Sequence, residues 1–577
     1  MKLMWRYTMR YKKLLFFDFL GVFGFILIEL GLPTLLAQMI DRGVLTNDTA
    51  FIKRQGLLMI AITAVGIALN VMLAYFSNRI TSNMIRDIRN DLFAKIQTFS
   101  HENYETLGVS SLITRTTNDA YQIMVFLNMI LRMGFLTPLM FLASLYLVMR
   151  TSPSLSLAIF LALPLLLLGV ILIGRISEPL SEKQQKNLDK INMILRENLS
   201  GLRVIRAFVN ENHEEERFAK VNKDYTDSSK SLFKLMITAQ PAFFFLFNIV
   251  MIFVIWFGAL QINSGSLRVG DLIAFIEYIF HALFSFMLFA SVFMSFPRAN
   301  VSALRIEEAF ETLPSITDGP AESDPAKTSG KVQFEHVSFA YPGHAESPVI
   351  RDVDFEAHRG QTIAFIGSTG SGKSTLIRLI PRFFDATKGR VLVDEVDVKE
   401  YRLRDLRRKI GFIPQKATLF SGTIADNLRY GKADATLAEM EKACETAQAL
   451  DFINEKPKRF DEEISEGGTN FSGGQKQRLA IARALIRKPE IYIFDDSFSA
   501  LDFKTDAALR KRLKEETKEA LVMIVAQRVS TIMDADSIVV LEEGRVVRQG
   551  THRELLKNCE IYREIATSQL SEEELNR

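Results

Sequence analysis

Long apolar runs in the first half of the chain most strictly limit the folds available to it. The first 300 of the 577 residues contain nearly all of these runs, whereas Asp, Glu, Lys and Arg dominate the remainder. A helix of about 20 apolar residues spans a bilayer. The runs occupy residues 14–40, 55–78, 133–149, 155–174, 235–267 and 278–297. The sequence therefore predicts an all-α membrane domain of six helices, followed by a polar domain.

The segments between these runs are alternately short and long. The long ones, residues 79–122 and 175–234, have apolar side chains at positions i, i+3 and i+4, which predicts helices that continue out of the membrane into water. The first 13 residues include five basic and no acidic side chains, which predicts a cytoplasmic N-terminus at the cell membrane. With six spans, the C-terminus and both long segments would lie on the same side.

Ionisable residues within the apolar runs or directly before them are candidates for a substrate pathway, because a charge in the bilayer is costly. Glu29, Arg132, Glu277 and His281 are such residues. The alternative is that each lies near a helix end or faces water without contacting a substrate. The last two runs are also rich in Phe and Met, which would form either an adaptable apolar pocket or lipid-facing surface. These residues are Phe243, Phe244, Phe245, Phe247, Phe284, Phe286, Met287, Phe289, Phe293 and Met294.

The overall composition excludes several other classes of protein. A net charge of +3 gives no basic surface for nucleic acid. The two cysteines, Cys444 and Cys559, are far from any Cys or His cluster, which predicts neither a disulfide nor a zinc site. We interpret both as small buried apolar residues.

A segment rich in Pro, Gly, Ser, Asp and Thr separates the two halves of the chain. It has no hydrophobic periodicity, so it is typical of a linker. We predict a membrane domain over residues 1–313, a linker over 314–330 and an α/β domain over 331–577.

The polar half contains a phosphate-binding loop of the form G-x-x-x-x-G-K-[ST]. A short apolar strand, residues 362–366, precedes the loop and a helix follows it. In such loops, backbone N–H groups and the helix N-terminus face phosphate oxygens, the Lys reaches the β- and γ-phosphates, and the Ser binds Mg²⁺. The loop residues are Gly367, Ser368, Thr369, Gly370, Ser371, Gly372, Lys373, Ser374 and Thr375.

A second metal-binding residue is expected at the end of another apolar strand. Residues 491–494 are apolar and are followed by Asp495. Since this Asp lies about 120 residues beyond the loop, within the same domain, we predict that it holds Mg²⁺ through water.

Residues 470–478, Asn-Phe-Ser-Gly-Gly-Gln-Lys-Gln-Arg, resemble the signature loop of ATP-binding-cassette (ABC) transporters, with Phe in place of Leu. The resemblance covers the whole chain, and the six spans with two long cytosolic segments resemble the exporter type. It implies a type I/IV exporter fold, a P-loop NTPase domain, and ATP and Mg²⁺ as cofactors. It also implies that Tyr341 stacks on adenine, that Gln415 joins Mg²⁺ to the membrane domain, and that Asp502 ends the D-loop.

The same resemblance implies that the chain works as a pair. In this family two ATP-binding domains close head to tail, so Ser472, Gly473, Gly474 and Gln475 would contact ATP held by the partner. The long segments would end in short coupling helices that rest on the ATP-binding domains. The resemblance places these helices near residues 100–106 and 204–211.

The sequence departs from the family at the two positions that carry the chemistry. Asp496 occupies the place of the Glu that polarises the attacking water, and Gln527 occupies the place of the switch His. The shorter Asp withdraws the carboxylate by roughly 1 Å, a displacement that can cost about 10²-fold in rate, and Gln cannot carry a positive charge. The pattern resembles the degenerate subunit of heterodimeric bacterial multidrug exporters. The alternative is an active homodimer that tolerates both residues.

We therefore expect an ATP-driven exporter of amphipathic drugs or lipids, paired with a second half-transporter that carries Glu and His at these positions. Alternatives are export of a specific lipid or peptide, and an ATP-gated regulatory protein that pumps no cargo. An importer is disfavoured, because importers usually carry their membrane and ATPase domains on separate chains.

Overall fold

The computed structural model describes residues 1–321, 329–344 and 346–575, so the middle of the predicted linker lies outside the described residues. The chain divides into two compact units. The first contains Met1–Gln97 and Ser110–Glu311, and the second contains Thr98–Val109 and Thr312–Arg577. Residues 98–109 fall within the predicted membrane domain but cluster with the second unit, because they pack on its surface.

Six helices in the described part of the chain are long and apolar enough to cross a membrane, as the sequence predicted. We call them spans 1–6. Their bounds are Lys2–Val44, Thr49–Gln97, Val109–Thr151, Pro153–Ala207, Glu211–Asn263 and Val269–Glu311.

The spans continue well beyond the thickness of a bilayer. Span 4 has 55 residues, or about 80 Å at 1.5 Å per residue, against about 30 Å of hydrocarbon. Ser152 caps its start, because the Ser152 hydroxyl accepts a hydrogen bond from Leu155 N at 3.4 Å, and Pro153 is its first residue. The predicted helical extensions of the long polar segments are thus confirmed.

The two predicted coupling helices differ in the structure. The first is a separate helix, His101–Leu107, that Ser100 caps and that ends at Gly108, whose φ is +76°. The prediction of a second, separate coupling helix is wrong. Span 4 continues to Ala207, and a tight turn at residues 208–210 leads directly into span 5. Val209 has a φ of +50°, so the chain reverses there without room for another helical turn.

Spans 1 and 2 approach each other closely because glycines face the contact. A Cβ on Gly24 would lie 2.2 Å from Leu69 Cβ, and one on Gly66 would lie 2.1 Å from Ile28 Cγ1. Small residues allow helix backbones to pack tightly in a membrane, where the hydrophobic effect does not drive helix association.

The second unit is an α/β fold with two principal sheets. A four-stranded sheet has the order β2-β1-β4-β5, and a six-stranded sheet has the order β12-β11-β3-β10-β9-β6. The strands are β1 Val332–Phe339, β2 Ile350–Ala357, β3 Thr362–Gly367, β4 Lys388–Val393, β5 Val396–Asp397, β6 Ile410–Ile413, β7 Gly422–Thr423, β8 Glu463–Ile464, β9 Ile491–Asp495, β10 Leu521–Val525, β11 Ser537–Glu542 and β12 Arg545–Gly550.

Helices pack on one face of the six-stranded sheet, and the four-stranded sheet with further helices packs on the other, which buries two hydrophobic cores. Cys444 and Cys559 are both free, and both are buried, as predicted. The helices of this unit are α1 His101–Leu107, α2 Lys373–Leu379, α3 Leu403–Lys409, α4 Ile424–Arg429, α5 Leu437–Thr446, α6 Leu450–Asn454, α7 Gly473–Leu485, α8 Phe503–Glu516, α9 Val529–Ile532, α10 His552–Asn558, α11 Glu560–Gln569 and α12 Glu572–Leu575.

The glycine contact between spans 1 and 2 leads to a stability prediction. Gly24→Ala should destabilise the folded protein by about 1–3 kcal/mol, because the new methyl group overlaps Leu69. The measurement is the melting temperature of the purified protein in detergent. Gly31→Ala is the matched control, since nothing lies within 4 Å of that position in the same helix. Equal melting temperatures for the two variants would contradict the close packing of spans 1 and 2.

Candidate functional site

Parallel strand pairing brings four loops of the second unit to one edge of a sheet. β10 pairs in parallel with both β3 and β9, and β6 pairs in parallel with β9. Val525 lies in register with Phe365 on one side and with Asp495 on the other. Ligands of α/β sheets bind outside the carboxyl ends of parallel strands. Four parts of the chain emerge at this edge: the phosphate loop, the acidic pair at the end of β9, the segment after β10, and Gln415 after β6.

The phosphate loop is held in a conformation that requires glycine. Gly367 has a φ of +156° and Gly372 a φ of +94°. A Cβ on Gly367 would lie 2.0 Å from Leu541 O. Lys373 Nζ donates to Gly367 O at 2.9 Å and to Ser368 O at 2.7 Å. Burial lowers the pKa of Lys373, and the loop surrounds its ammonium group with oxygen atoms.

Two of the three predicted metal-binding residues lie in direct contact. Ser374 Oγ donates to Asp495 Oδ1 at 2.5 Å, and Asp495 is 0% exposed. Arg378 also donates to Asp495, at 3.4 Å. A hydroxyl, a carboxylate and the amide oxygen of Gln415 are the hard oxygen ligands that Mg²⁺ prefers. These residues therefore fit the ion, which would neutralise phosphate charge when bound.

Asp496 is held by two amide groups at the centre of the site. Its Oδ2 accepts a hydrogen bond from Gln415 Nε2 at 3.1 Å and another from Gln527 Nε2 at 2.9 Å. Asp496 is buried and has a φ of +48°. Burial, together with the adjacent Asp495 carboxylate, raises the pKa of Asp496.

These groups line one pocket of about 310 Å³. It contains residues of the phosphate loop together with Gln415, Asp496 and Gln527. Val349 and Val525 also line it. The sequence analysis missed them because a Val directly before a strand or within one is indistinguishable from a core residue. The structure thus brings together the predicted phosphate-binding and catalytic positions.

Tyr341 belongs to an aromatic cluster beside this pocket. Its hydroxyl is 2.9 Å from Thr375 Oγ1, and its ring lies edge-on to Phe384 at 5.3 Å. Phe384 in turn lies 5.3 Å from the ring of His101 in α1. Sequence analysis missed Phe384, since a Phe after a buried helix carries no signal beyond that of the core. The contact joins the Tyr341 region to the predicted coupling helix.

Helix α1 is fixed to the second unit by polar contacts as well. Ser100 and Ser315 share a hydrogen bond of 2.5 Å between their hydroxyl groups, and Asn103 Nδ2 donates to Leu313 O at 3.2 Å. Ser100 Oγ donates to Asn103 Oδ1 at 2.7 Å. These contacts position α1 at the start of the second unit.

The predicted signature residues lie apart from this pocket. Ser472 caps α7 by accepting a hydrogen bond from Gln475 N at 3.2 Å, and Gln475 Oε1 accepts one from Ser472 N at 3.0 Å. Ser472 and Gly473 are exposed. Asp502 likewise caps α8 by accepting from Thr505 N at 2.9 Å. The signature therefore presents a helix N-terminus at the surface and does not complete the pocket of its own chain.

The structure also places the ionisable residues of the membrane spans. Glu29 Oε2 lies 3.3 Å from His281 Nε2, which joins spans 1 and 6. Arg132 lies in span 3. Asp18 in span 1 accepts a hydrogen bond of 2.5 Å from Ser77 Oγ in span 2. The sequence analysis did not select Asp18.

Six membrane-spanning helices followed by a phosphate loop, a strand-terminal Asp and a capped signature helix define an ATP-powered membrane transporter. Two sequence profiles agree: one for the ABC transporter transmembrane region matches residues 15–287, and one for the ABC transporter matches residues 350–499. The chain belongs to the ABC transporter family, and its fold is that of an exporter.

Individual relatives cover nearly the whole chain. An uncharacterized ABC transporter ATP-binding protein of Bacillus subtilis is 37% identical over 95% of this chain and 94% of that protein. A putative multidrug export ATP-binding/permease protein of the same organism is 32% identical over 99% of both. An ATP-dependent lipid A-core flippase of Desulfotalea psychrophila is 31% identical over 91% of both. The structure of a bacterial Atm1-family ABC exporter with ATP bound matches with a TM-score of 0.82 and 25% identity, over 97% of this chain and 99% of that one.

The aromatic cluster yields a prediction about nucleotide affinity. Tyr341→Ala should weaken ATP binding by about tenfold, because stacking of a base on an aromatic ring contributes about 1–3 kcal/mol. Tyr341→Phe keeps the ring and loses only the hydrogen bond to Thr375, so its affinity should stay within about threefold of the wild type. Fluorescence titration with a labelled ATP analogue measures both. If the Tyr341→Ala variant binds ATP with wild-type affinity, Tyr341 is not part of the ATP-binding site.

Proposed function

We propose that this chain is the hydrolysis-impaired subunit of a heterodimeric exporter of amphipathic drugs or lipids. The observation that carries this proposal is the double amide contact to Asp496 Oδ2 from Gln415 and Gln527. A general base must reach the attacking water in a reactive orientation. Here the shorter carboxylate is directed towards two neutral amides, so it is poorly available to polarise water.

The residue types explain why this arrangement binds ATP and turns it over slowly. The phosphate loop, Ser374 and Asp495 retain every group needed to hold phosphates and Mg²⁺. Gln527 has an uncharged donor group, and that group donates its hydrogen bond to Asp496. A switch His in its place could carry a proton and a positive charge towards the γ-phosphate. The defect therefore concerns the hydrolysis step and leaves binding intact.

The exposed signature residues support the proposal that the chain pairs with a second half-transporter. ABC half-transporters generally pair, and the Ser472–Gly473 turn at the start of α7 lies at the surface, where a helix N-terminus favours an anion. We propose that this nearly standard signature completes the competent ATP site of the partner. The partner would then carry Glu and His at the positions equivalent to Asp496 and Gln527.

Two exposed apolar surfaces, one in each unit, further support pairing. In the first unit, Phe208 and Val209 at the turn between spans 4 and 5 are 78% and 83% exposed. In the second unit, Phe420 and Tyr430 stack with their ring centroids 4.5 Å apart and are 45% and 66% exposed. Exposed apolar clusters mark interaction sites. We propose that such a turn from the partner rests on the Phe420–Tyr430 surface.

The cargo and the orientation follow from the relatives and from charge. Since relatives over nearly the full length include a putative multidrug exporter and a lipid A-core flippase, an amphipathic cargo is favoured. The basic N-terminus favours a cytoplasmic location for both termini and the ATP-binding unit. An active homodimer remains the competing proposal, because Asp496 still lies in the pocket.

Measurement of ATP hydrolysis distinguishes these two proposals. The purified chain alone should bind ATP with Mg²⁺ yet hydrolyse it at about 1% of the rate of the chain co-purified with its partner, in line with a displaced carboxylate. The partner should be encoded by a half-transporter with Glu after its strand-terminal Asp. Robust turnover by the chain alone would establish the homodimer instead.

Substitutions within the site test the physical cause of slow hydrolysis. Asp496→Glu alone should raise turnover by no more than about threefold, because Gln415 and Gln527 still donate to the carboxylate and no imidazole is present. Asp496→Glu combined with Gln527→His should raise it further, by about tenfold or more. Asp496→Asn is the control for loss of the carboxylate. A large gain from Asp496→Glu alone would assign the whole defect to side-chain length.

A further inference from the structure

Arg378 is a charged residue beside the ATP site to which neither the phosphate-loop motif nor the catalytic positions assign a role. It lies on α2, the helix that follows the phosphate loop, four residues after Ser374. Residues four apart lie on the same face of an α-helix. Ser374 and Arg378 therefore reach Asp495 from one helix face, and both contact its carboxylate.

These two contacts divide the Asp495 carboxylate between a neutral donor and a charged one. Ser374 Oγ donates to Asp495 Oδ1, and Arg378 Nη2 donates to Asp495 Oδ2 at 3.4 Å. Among the residues that the structure describes, Asp495 forms an ion pair with Arg378 alone. Lys373, the other cation nearby, donates instead to the carbonyl oxygens of Gly367 and Ser368. Arg378 is thus the cation in direct contact with the predicted metal-binding carboxylate.

Burial makes this ion pair important for the site. Asp495 is 0% exposed, whereas the Arg378 side chain is 35% exposed. A buried carboxylate without a neighbouring positive charge is strongly unfavourable. The guanidinium group supplies that charge from within the chain.

Arg378 lies outside the ATP pocket. Lys373, Ser374 and Asp496 are among the residues that line the pocket, whereas Asp495 and Arg378 are not. Any influence of Arg378 on the nucleotide therefore passes through Asp495. It is a positioning residue and not a ligand of ATP.

Coulomb's law gives the sign of this influence. A Mg²⁺ ion at the site is attracted by the Asp495 carboxylate but repelled by the Arg378 guanidinium group. Phosphate groups are repelled by an unpaired carboxylate, and the guanidinium group reduces that repulsion. Both effects favour the binding of ATP without the ion relative to the binding of ATP with it.

We propose that Arg378 is a built-in counter-ion of Asp495 that allows the pocket to retain ATP with little dependence on Mg²⁺. This inference rests on the proposed ATP-binding role of the pocket. It suits a site that holds nucleotide and hydrolyses it slowly, because phosphoryl transfer needs the ion to neutralise developing charge, whereas retention of the nucleotide does not.

The inference is tested by measuring how strongly Mg²⁺ and nucleotide binding are coupled. The full-length chain, purified in detergent, is titrated with the fluorescent analogue mant-AMPPNP, once in excess Mg²⁺ and once in EDTA. The dissociation constant in EDTA divided by that in Mg²⁺ is the Mg²⁺ coupling factor. Because the analogue is not hydrolysed, this factor is independent of turnover.

Arg378→Gln should raise the Mg²⁺ coupling factor by about tenfold or more, mainly by weakening the binding measured in EDTA. Arg378→Met keeps the apolar stem of the side chain and should give the same rise, so the result does not depend on the folding of one variant. Arg378→Lys keeps the charge and should stay within about threefold of the wild type. Arg390→Gln is the matched control, since it breaks an exposed ion pair of 2.8 Å with Glu335 and should leave the factor unchanged.

Equal Mg²⁺ coupling factors in the wild type and in the Gln and Met variants would show that Arg378 only fastens α2 to β9, and would overturn the inference. A rise in Arg378→Lys as large as that in Arg378→Gln would also overturn it, because charge would not be the cause. If the wild type binds mant-AMPPNP under neither condition, the ATP site itself is refuted. If the wild type binds the analogue but hydrolyses ATP rapidly, only slow turnover is refuted, and the coupling factors still decide the role of Arg378.

Discussion

Parallel pairing of β10 with β3 and β9 is the constraint on which the ATP-binding unit depends. It aligns the carboxyl ends of three strands that are far apart in sequence. The phosphate loop then emerges beside Asp495 and Asp496, and Gln527 lies two residues beyond the end of β10. Without this register, Ser374 Oγ would not reach Asp495, and the two glutamine amides would not meet on Asp496. The chemistry of the site is thus a consequence of strand order.

The membrane unit depends on a different constraint, namely that every backbone polar group in lipid must be satisfied within the chain. Long uninterrupted helices meet this requirement and extend into water without a break. Close helix contacts then rely on small residues such as Gly24 and Gly66.

The proposed ATP site combines intact phosphate-binding groups with an unusual arrangement at Asp496. Two neutral amides donate to the Asp496 carboxylate, so the proposed role is to hold nucleotide and to support a partner. Helix α1 lies beside this site through Phe384 and His101. A short path of aromatic contacts therefore leads from the expected adenine position to the predicted coupling helix.

Sequence alone determined the six spans, the helical extensions, the phosphate loop and the strand ending at Asp495, because each depends on local periodicity or on a short motif with a fixed backbone requirement. It also identified Asp496 and Gln527 as departures from the family pattern. It did not reveal that Gln415 and Gln527 donate to the same carboxylate oxygen of Asp496. Only the tertiary structure brought Glu29 to His281, since those residues lie 252 positions apart in the chain. It likewise replaced the second predicted coupling helix by a tight turn and assigned residues 98–109 to the second unit. Contacts of this kind depend on which faces of distant elements meet, and that is settled by packing and strand register rather than by any local pattern.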